Sequence, residues 1–172
     1  KEPCYNTDAT PGNFLDKSCA TGTTLGSLVN QTDSVSTISA GNAGWYINLD
    51  PSTSGAAAER VVTDTVALTN GTVFFTSFKP TTDICGYGGN SYLWGVKYDT
   101  GGQAAANALQ GKALIQLSTG EFREVDLSSA FTDKGGRRMQ TPMTGKPPSD
   151  APPIISNSMN RPVKKILHIQ ER

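Results

Sequence analysis

A chain of 172 residues suits one ordinary domain or a large piece of a bigger one. Fifteen Lys plus Arg balance fifteen Asp plus Glu, so the surplus of clustered cations that a phosphate backbone demands is missing, and no nucleic-acid partner is expected. Eighteen Gly and ten Pro exclude a helical bundle, since each Gly inside a helix costs about 1 kcal/mol and each Pro about 3.

Residues 1–43 read as an irregular, polar N-terminal arm, with turn signals at Pro11-Gly12-Asn13 and Thr21-Gly22-Thr23 and no sustained period. The β-rich portion runs from 44 to 172. It opens with Trp45-Tyr46-Ile47-Asn48-Leu49, stopped by Asp50-Pro51. Residues 60–68 and 73–78 flank Asn70-Gly71, the residues a tight type I′ turn requires, and predict a hairpin. A Gly-rich loop around Cys85 precedes a strand over 91–98, which Asp99-Thr100-Gly101-Gly102 stops. The alanine-rich stretch 103–110 predicts about two helical turns. Residues 112–117 and 121–127, around Ser118-Thr119-Gly120, predict a second hairpin. Residues 135–153 are proline-rich and predicted extended and loop-like, and 163–169 predict a last strand. The expected fold is all-β and mainly antiparallel, with about seven strands, long loops and little helix.

No run reaches the roughly 18 apolar residues of a membrane span, and no signal peptide is visible. The Lys1-Glu2-Pro3 start, without an initiator Met, suggests a processed product, a natural fragment or a recombinant piece. Three cysteines, Cys4, Cys19 and Cys85, form no CxxC pair and are disulfide candidates if the chain is exported. A Cys4–Cys19 bond would close a short polar loop and is preferred. A Cys19–Cys85 bond would tie the arm to the centre, and three reduced thiols are the alternative in a reducing compartment.

Tests for catalytic and binding motifs mostly fail. No calcium loop of the D-x-[DN]-x-[DN]-G form is present, and Asp8, Asp50, Asp83, Asp99 and Asp133 are expected to cap turns. His168 is the only histidine, which excludes a two-histidine metal site within the chain. Gly86-Tyr87-Gly88-Gly89-Asn90 lacks the Lys-Ser or Lys-Thr and the helix of a phosphate loop, and no G-x-S-x-G elbow occurs. Asn30-Gln31-Thr32 and Asn70-Gly71-Thr72 match a glycosylation sequon. Arg137-Arg138 beside two glycines could bind a carboxylate bidentately, but two solvated arginines are the expected outcome. The aromatic residues are expected to be mainly core, with a minority exposed in a carbohydrate or peptide groove. The chain is therefore not expected to be an enzyme.

Five segments in order are similar to the C-terminal end of PilY-type proteins, the tip-associated adhesins and assembly factors of type IV pili. They are Gly44-Trp45-Tyr46-Ile47-Asn48-Leu49, Glu59-Arg60-Val61-Val62, the run from Gly71-Thr72-Val73-Phe74-Phe75 to Lys79-Pro80, the run from Cys85 through Gly88-Gly89-Asn90-Ser91 to Trp94, and Asp99-Thr100-Gly101-Gly102. The resemblance rests on Trp45, Arg60, Phe74, Phe75, Pro80, Cys85, Gly88, Gly89, Asp99 and Gly101 within 44–102, with Gly135-Gly136-Arg137-Arg138 and Gly145-Lys146-Pro147-Pro148 as a weaker distal pattern. It implies part of a modified β-propeller, exported to the cell surface, pilus or extracellular filament, where it supports pilus assembly and attachment. It implies minor pilins or other pilus subunits as partners. A propeller blade takes about 40–50 residues, so the rest of a longer precursor or another chain is expected to complete the sheet. No cofactor is implied within this chain; the family's calcium loop would lie elsewhere in a full-length member. Two alternatives are a filament-building or filament-coating extracellular subunit in many copies, and a fragment of a quinoprotein-like propeller enzyme, whose blades resemble Leu93-Trp94-Gly95-Val96-Lys97-Tyr98.

Overall fold

The computed structural model describes residues 28–39, 41–50, 58–81 and 88–156. The three cysteines, His168 and the strand expected over 163–169 lie outside the described residues. Within them the protein is all-β and mostly antiparallel, with twelve strands, one four-residue 3-10 helix and one four-residue α-helix. No helix among the described residues is long and apolar enough to cross a membrane.

Two long strands form the centre, β5 (Thr72–Pro80) and β6 (Gly89–Lys97). They pair antiparallel over nine residues, from Thr72 opposite Lys97 to Pro80 opposite Gly89. The Asn70-Gly71 turn leads into β5, but it is not the expected type I′ turn, because only Gly71, at φ +82°, has a positive φ: the Leu68 amide donates to the Thr72 carbonyl, the Gly71 amide to the Leu68 carbonyl, and Asn70 Oδ1 accepts from the Thr72 amide. The run before that turn is divided into two short strands, β3 (Arg60–Val61) and β4 (Val66–Ala67), both paired with β5. Where the ladder is interrupted, the Thr63 hydroxyl accepts from the Thr76 amide.

On the other side of β6 lie β10 (Arg138–Met139) and β11 (Met143–Gly145), and β9 (Phe131–Asp133) pairs with β10. The proline-rich stretch is thus only partly loop, because its non-proline residues join the sheet where β6 leaves an edge open. A second sheet has β7 (Lys112–Gln116) in the middle, between β8 (Phe122–Asp126) and β12 (Ile154–Ser156). The expected hairpin is present, in register from Lys112 opposite Asp126 to Gln116 opposite Phe122. A four-residue helix, α1 (Leu127–Ala130), follows β8, capped at Asp126, which accepts from the Ser128 amide. The helix expected over 103–110 shrinks to the 3-10 turn Ala106–Leu109, which buries Ala108 and Leu109. Too few apolar positions were available there to anchor a longer amphipathic helix. Finally, β1 (Leu28–Asn30) pairs in parallel with β2 (Gly44–Tyr46), so the end of the N-terminal arm is held to the first residues of the β-rich portion.

The core lies between the two large sheets. Period-two alternation sends Phe74 and Leu93 to one face of the central hairpin, where they meet Ala113, Ile115, Val125, Leu127, Phe131 and Met139. Phe74 and Phe131 meet edge to face with ring centroids 6.1 Å apart. The opposite face of the hairpin carries Phe75, Ser77, Tyr92 and Trp94, and there the chemistry changes from apolar to ionic.

Candidate functional site

Trp94 is fully buried and stacks on Phe75 across the ladder, with centroids 5.7 Å apart and planes 9° from parallel. Its indole N–H donates to Glu59 Oε1 and to Ser77 Oγ, both at 3.0 Å, and the Ser77 hydroxyl donates to the same Glu59 oxygen. The second Glu59 oxygen accepts from Arg138 Nη1 at 2.7 Å. The same oxygen accepts from the Asp50 amide at 3.2 Å; the Glu59 side chain has no exposed area, so an ionised carboxylate there requires this set of partners.

Arg138 gathers two more carboxylates. Nη1 reaches Asp50 Oδ2 at 3.0 Å, and Nε and Nη2 reach Asp133 Oδ2 at 2.8 and 2.5 Å. The guanidinium lies over the Tyr92 ring, 4.3 Å from its centroid. Lys134 extends the network from Asp50 to Asp33, at 3.2 and 3.0 Å, and Lys79 reaches Asp50 at 3.5 Å. Burial opposes the charge of Asp50, but hydrogen bonds and charge from Arg138, then Lys134, outweigh it and hold its pKa down at about 2. Burial likewise works against the charge on Arg138, and the Asp133 and Asp50 hydrogen bonds overcome it, raising its pKa. Tyr92 is pushed up by burial and by the nearby Glu59, Asp50 and Asp133, against the pull of Arg138.

The neighbouring Arg137, the last residue of the turn before β10, reaches a different set of partners. It is fully buried and donates only to carbonyl oxygens: Nη1 to Gln31 and to Gly101 (3.2 Å), Nη2 to Thr32 (3.1 Å) and Nε to Lys134 (2.6 Å). Burial lowers its pKa, with partial compensation from Asp33. Gln31, also fully buried, bonds Ser36 and the Thr100 carbonyl. Arg137 therefore fastens the loop after β1 to the turn after β6. The expectation of two solvated arginines is overturned: Arg138 pairs with three carboxylates, Asp50 being shared with Lys134 and Lys79, and Arg137 satisfies carbonyls that no ladder reaches.

The residues singled out in the sequence fall around this network. Trp45 lies against Gly101, where a Cβ would sit 2.4 Å from the indole ring, and Gly101 has φ +64°, so glycine is required both for space and for conformation. The Trp45 indole N–H donates to the Tyr98 carbonyl at 3.1 Å. Asp99 is exposed in the same turn, not in the ion network. Arg60 stands opposite Phe78 on β3, exposed, with Nε donating to the Ala58 carbonyl. Phe74 is core and Phe75 is the platform for Trp94. Pro80 ends β5 opposite Gly89. Gly88, at φ +106°, passes so near β11 that a Cβ would fall on the Gly145 carbonyl oxygen, and Gly89 packs as tightly on the Lys79 carbonyl. Cys85 lies outside the described residues.

Sequence reasoning missed the ionic set of Asp50, Glu59, Asp133, Lys134 and Arg138. Their separations in the chain carry no motif. The signals that were available were a Glu just before a strand and two Arg inside an otherwise extended stretch. Chemically the set is closed, since the guanidinium fills the space among the three carboxylates. Among the described residues no group of three or more His, Cys, Asp or Glu is arranged to hold a metal. Comparison with family models, with curated proteins and with solved structures finds no match to this chain.

Proposed function

We propose that this chain is a non-enzymatic component of an exported filament of the type IV pilus kind, the C-terminal part of a tip-associated assembly and attachment protein. The observation that carries the reading is the convergence of the segments behind the PilY-type resemblance. Trp45 of the first meets Gly101 of the last, Glu59 of the second meets Trp94 of the fourth, and the third and fourth form the central hairpin. A pattern whose members support one another in three dimensions suits a structural part: most of its described side chains go to packing and hydrogen bonding, while Arg60 and Asp99 stay exposed.

The propeller reading is part of this proposal. The antiparallel sheet around β5 and β6 would serve as one blade, and the remaining blades would come from the rest of a longer precursor or from another chain. Partners would be minor pilins or other pilus subunits, and any calcium site would belong to a different region of a full-length protein. The test is to purify surface filaments and measure by mass spectrometry whether this polypeptide co-purifies and in what ratio to the main subunit. About one copy per filament supports the tip reading. One copy per repeat supports a building or coating subunit instead, and recovery only from the cytosol with three free thiols refutes both.

A further inference from the structure

Two tight turns lie side by side at one end of the central hairpin. The turn before β5 is closed by the Gly71 amide donating to the Leu68 carbonyl at 3.1 Å, and the turn after β6 by the Gly101 amide donating to the Lys97 carbonyl at 2.9 Å. The Tyr98 amide joins the two by donating to the Gly71 carbonyl at 3.0 Å, and the Tyr98 carbonyl accepts from the Trp45 indole. Side chains carried on these turns therefore stand on a main chain that hydrogen bonds hold in place.

Tyr98 is 66% exposed, the most open of the large hydrophobic side chains among the described residues. Its ring lies against Gly71, where a Cβ would come within 3.2 Å of it, so glycine lets the ring settle over the neighbouring turn. A depression of about 330 Å³ opens beside the ring, lined by Thr69, Asn70, Gly71, Lys97, Tyr98 and Asp99. That volume is at the small end of ligand-sized clefts.

The polar groups around the ring are unspent. Asn70 Oδ1 is engaged by the Thr72 amide, which fixes the side chain and leaves its NH2 group without a partner among the described residues. Lys97 and Asp99 flank the ring, both exposed, and among the described residues neither side chain makes a hydrogen bond or an ion pair. The other lysines of the described residues, Lys79, Lys112, Lys134 and Lys146, each reach a carboxylate within 4.0 Å.

A ligand matched to this set lays an apolar face on Tyr98 and meets donors and acceptors around its rim. An anion is opposed by Asp99 and a cation by Lys97, and a purely apolar molecule would leave Asn70, Lys97 and Asp99 desolvated without partners. A sugar ring has the right chemistry: C–H bonds cover one face, and every hydroxyl both donates and accepts.

We propose that Asn70, Lys97, Tyr98 and Asp99 form a surface subsite for one neutral hexopyranose unit of a glycan. The sugar stacks on Tyr98, Asp99 accepts from its hydroxyls, and Asn70 and Lys97 donate to its oxygens. A single exposed platform binds weakly, with a Kd on the order of 1–10 mM, so firm attachment needs many copies of the unit or of the protein. Such a subsite would serve the attachment proposed above, yet it rests only on these two turns, so its failure in a sugar titration leaves the filament reading intact.

Titrating the isotope-labelled full chain with the methyl glycosides of glucose, galactose, mannose and N-acetylglucosamine tests it. With at least one of them the amide signals of residues 69–72 and 97–99 should move and saturate with a Kd on the order of 1–10 mM. Tyr98→Ala should weaken that binding about tenfold, whereas Tyr98→Phe, which keeps the ring, should stay within about threefold. Asp99→Ala should weaken it about fivefold, the scale of one hydrogen bond. Unmoved amide signals in the middle of β5 and β6 verify that each variant is folded. Three results overturn the proposal: no saturable movement at these residues with any of the four sugars at about 50 mM, equal binding by Tyr98→Ala, or adenosine saturating the same residues at a lower concentration than every sugar, which would make the ring a platform for a flat base.

Discussion

Replacing Arg138 with Met tests the central reading of the ion network. Met keeps part of the side-chain packing over Tyr92 and Trp94 and deletes the charge. The largest loss is at Glu59, whose carboxylate has no exposed area and whose remaining donors, Trp94, Ser77 and the Asp50 amide, include no cation. Removing one member of a buried pair costs about 3–5 kcal/mol. Asp50 and Asp133 are partly hydrated, at 24% and 35% exposed, and lose about 0.2–1 kcal/mol each. The sum, about 3–7 kcal/mol, is a large share of the roughly 5–15 kcal/mol that holds a domain of this size folded. Urea unfolding monitored by Trp fluorescence should show the midpoint fall sharply with little change in slope. In a Glu59→Gln background the buried charge is gone, and Arg138→Met should cost about 2 kcal/mol less than in the unaltered protein. A single-variant cost below about 1 kcal/mol, with no coupling to Glu59, would refute the claim that this cluster holds the sheet, the 58–59 segment and the 131–138 turn together.

Asp50 makes the fold acid-sensitive. Its carboxyl is held at about 2 against an ordinary 3.8, so its contribution is complete above pH 3.8 and is lost as pH falls through 2. That amounts to about 2 kcal/mol, and Asp50→Asn should flatten the stability curve in this window when unfolding is followed by circular dichroism. Gly101→Ala should destabilise by about 1–3 kcal/mol through the clash with Trp45 and the positive φ. Adding Trp45→Ala should relieve the clash but not the φ strain, and thermal unfolding of the two variants separates these terms. Phe74→Ala empties the centre of the core and should cost about 3–5 kcal/mol, whereas Phe75→Ala should also shift Trp94 fluorescence because it removes the stacked ring.

Much of the sheet was legible in the sequence. Asn70-Gly71 named the turn of the central hairpin region, and Ser118-Thr119-Gly120 named the second, because those turns need residues that reach positive φ at little cost. Alternation in 73–78 and 92–98 puts aromatic rings on both faces of each strand, but grouping Phe74 with Leu93 and Phe75 with Trp94 took the register of the pairing. The expected helix over 103–110 was mostly absent, since local propensity without an apolar stripe leaves nothing for tertiary packing to hold. The short strands β1, β10, β11 and β12 could not be read, as two or three residues carry no period and each exists only because a neighbour offers unpaired main-chain groups.

The candidate site was hidden for a related reason. Arg137 and Arg138 are indistinguishable in sequence from two solvated cations, and it is the fold that turns one toward Gln31, Thr32 and Gly101 and the other toward Asp50, Glu59 and Asp133. Sequence by itself determined the all-β, turn-rich character and the charge balance, because these follow from composition and from period-two alternation within short windows. Only the tertiary structure decided which charges are buried together and which strand edges stay open, because pairing across 79 to 106 positions of chain depends on where the backbone ends up, and no local pattern encodes it.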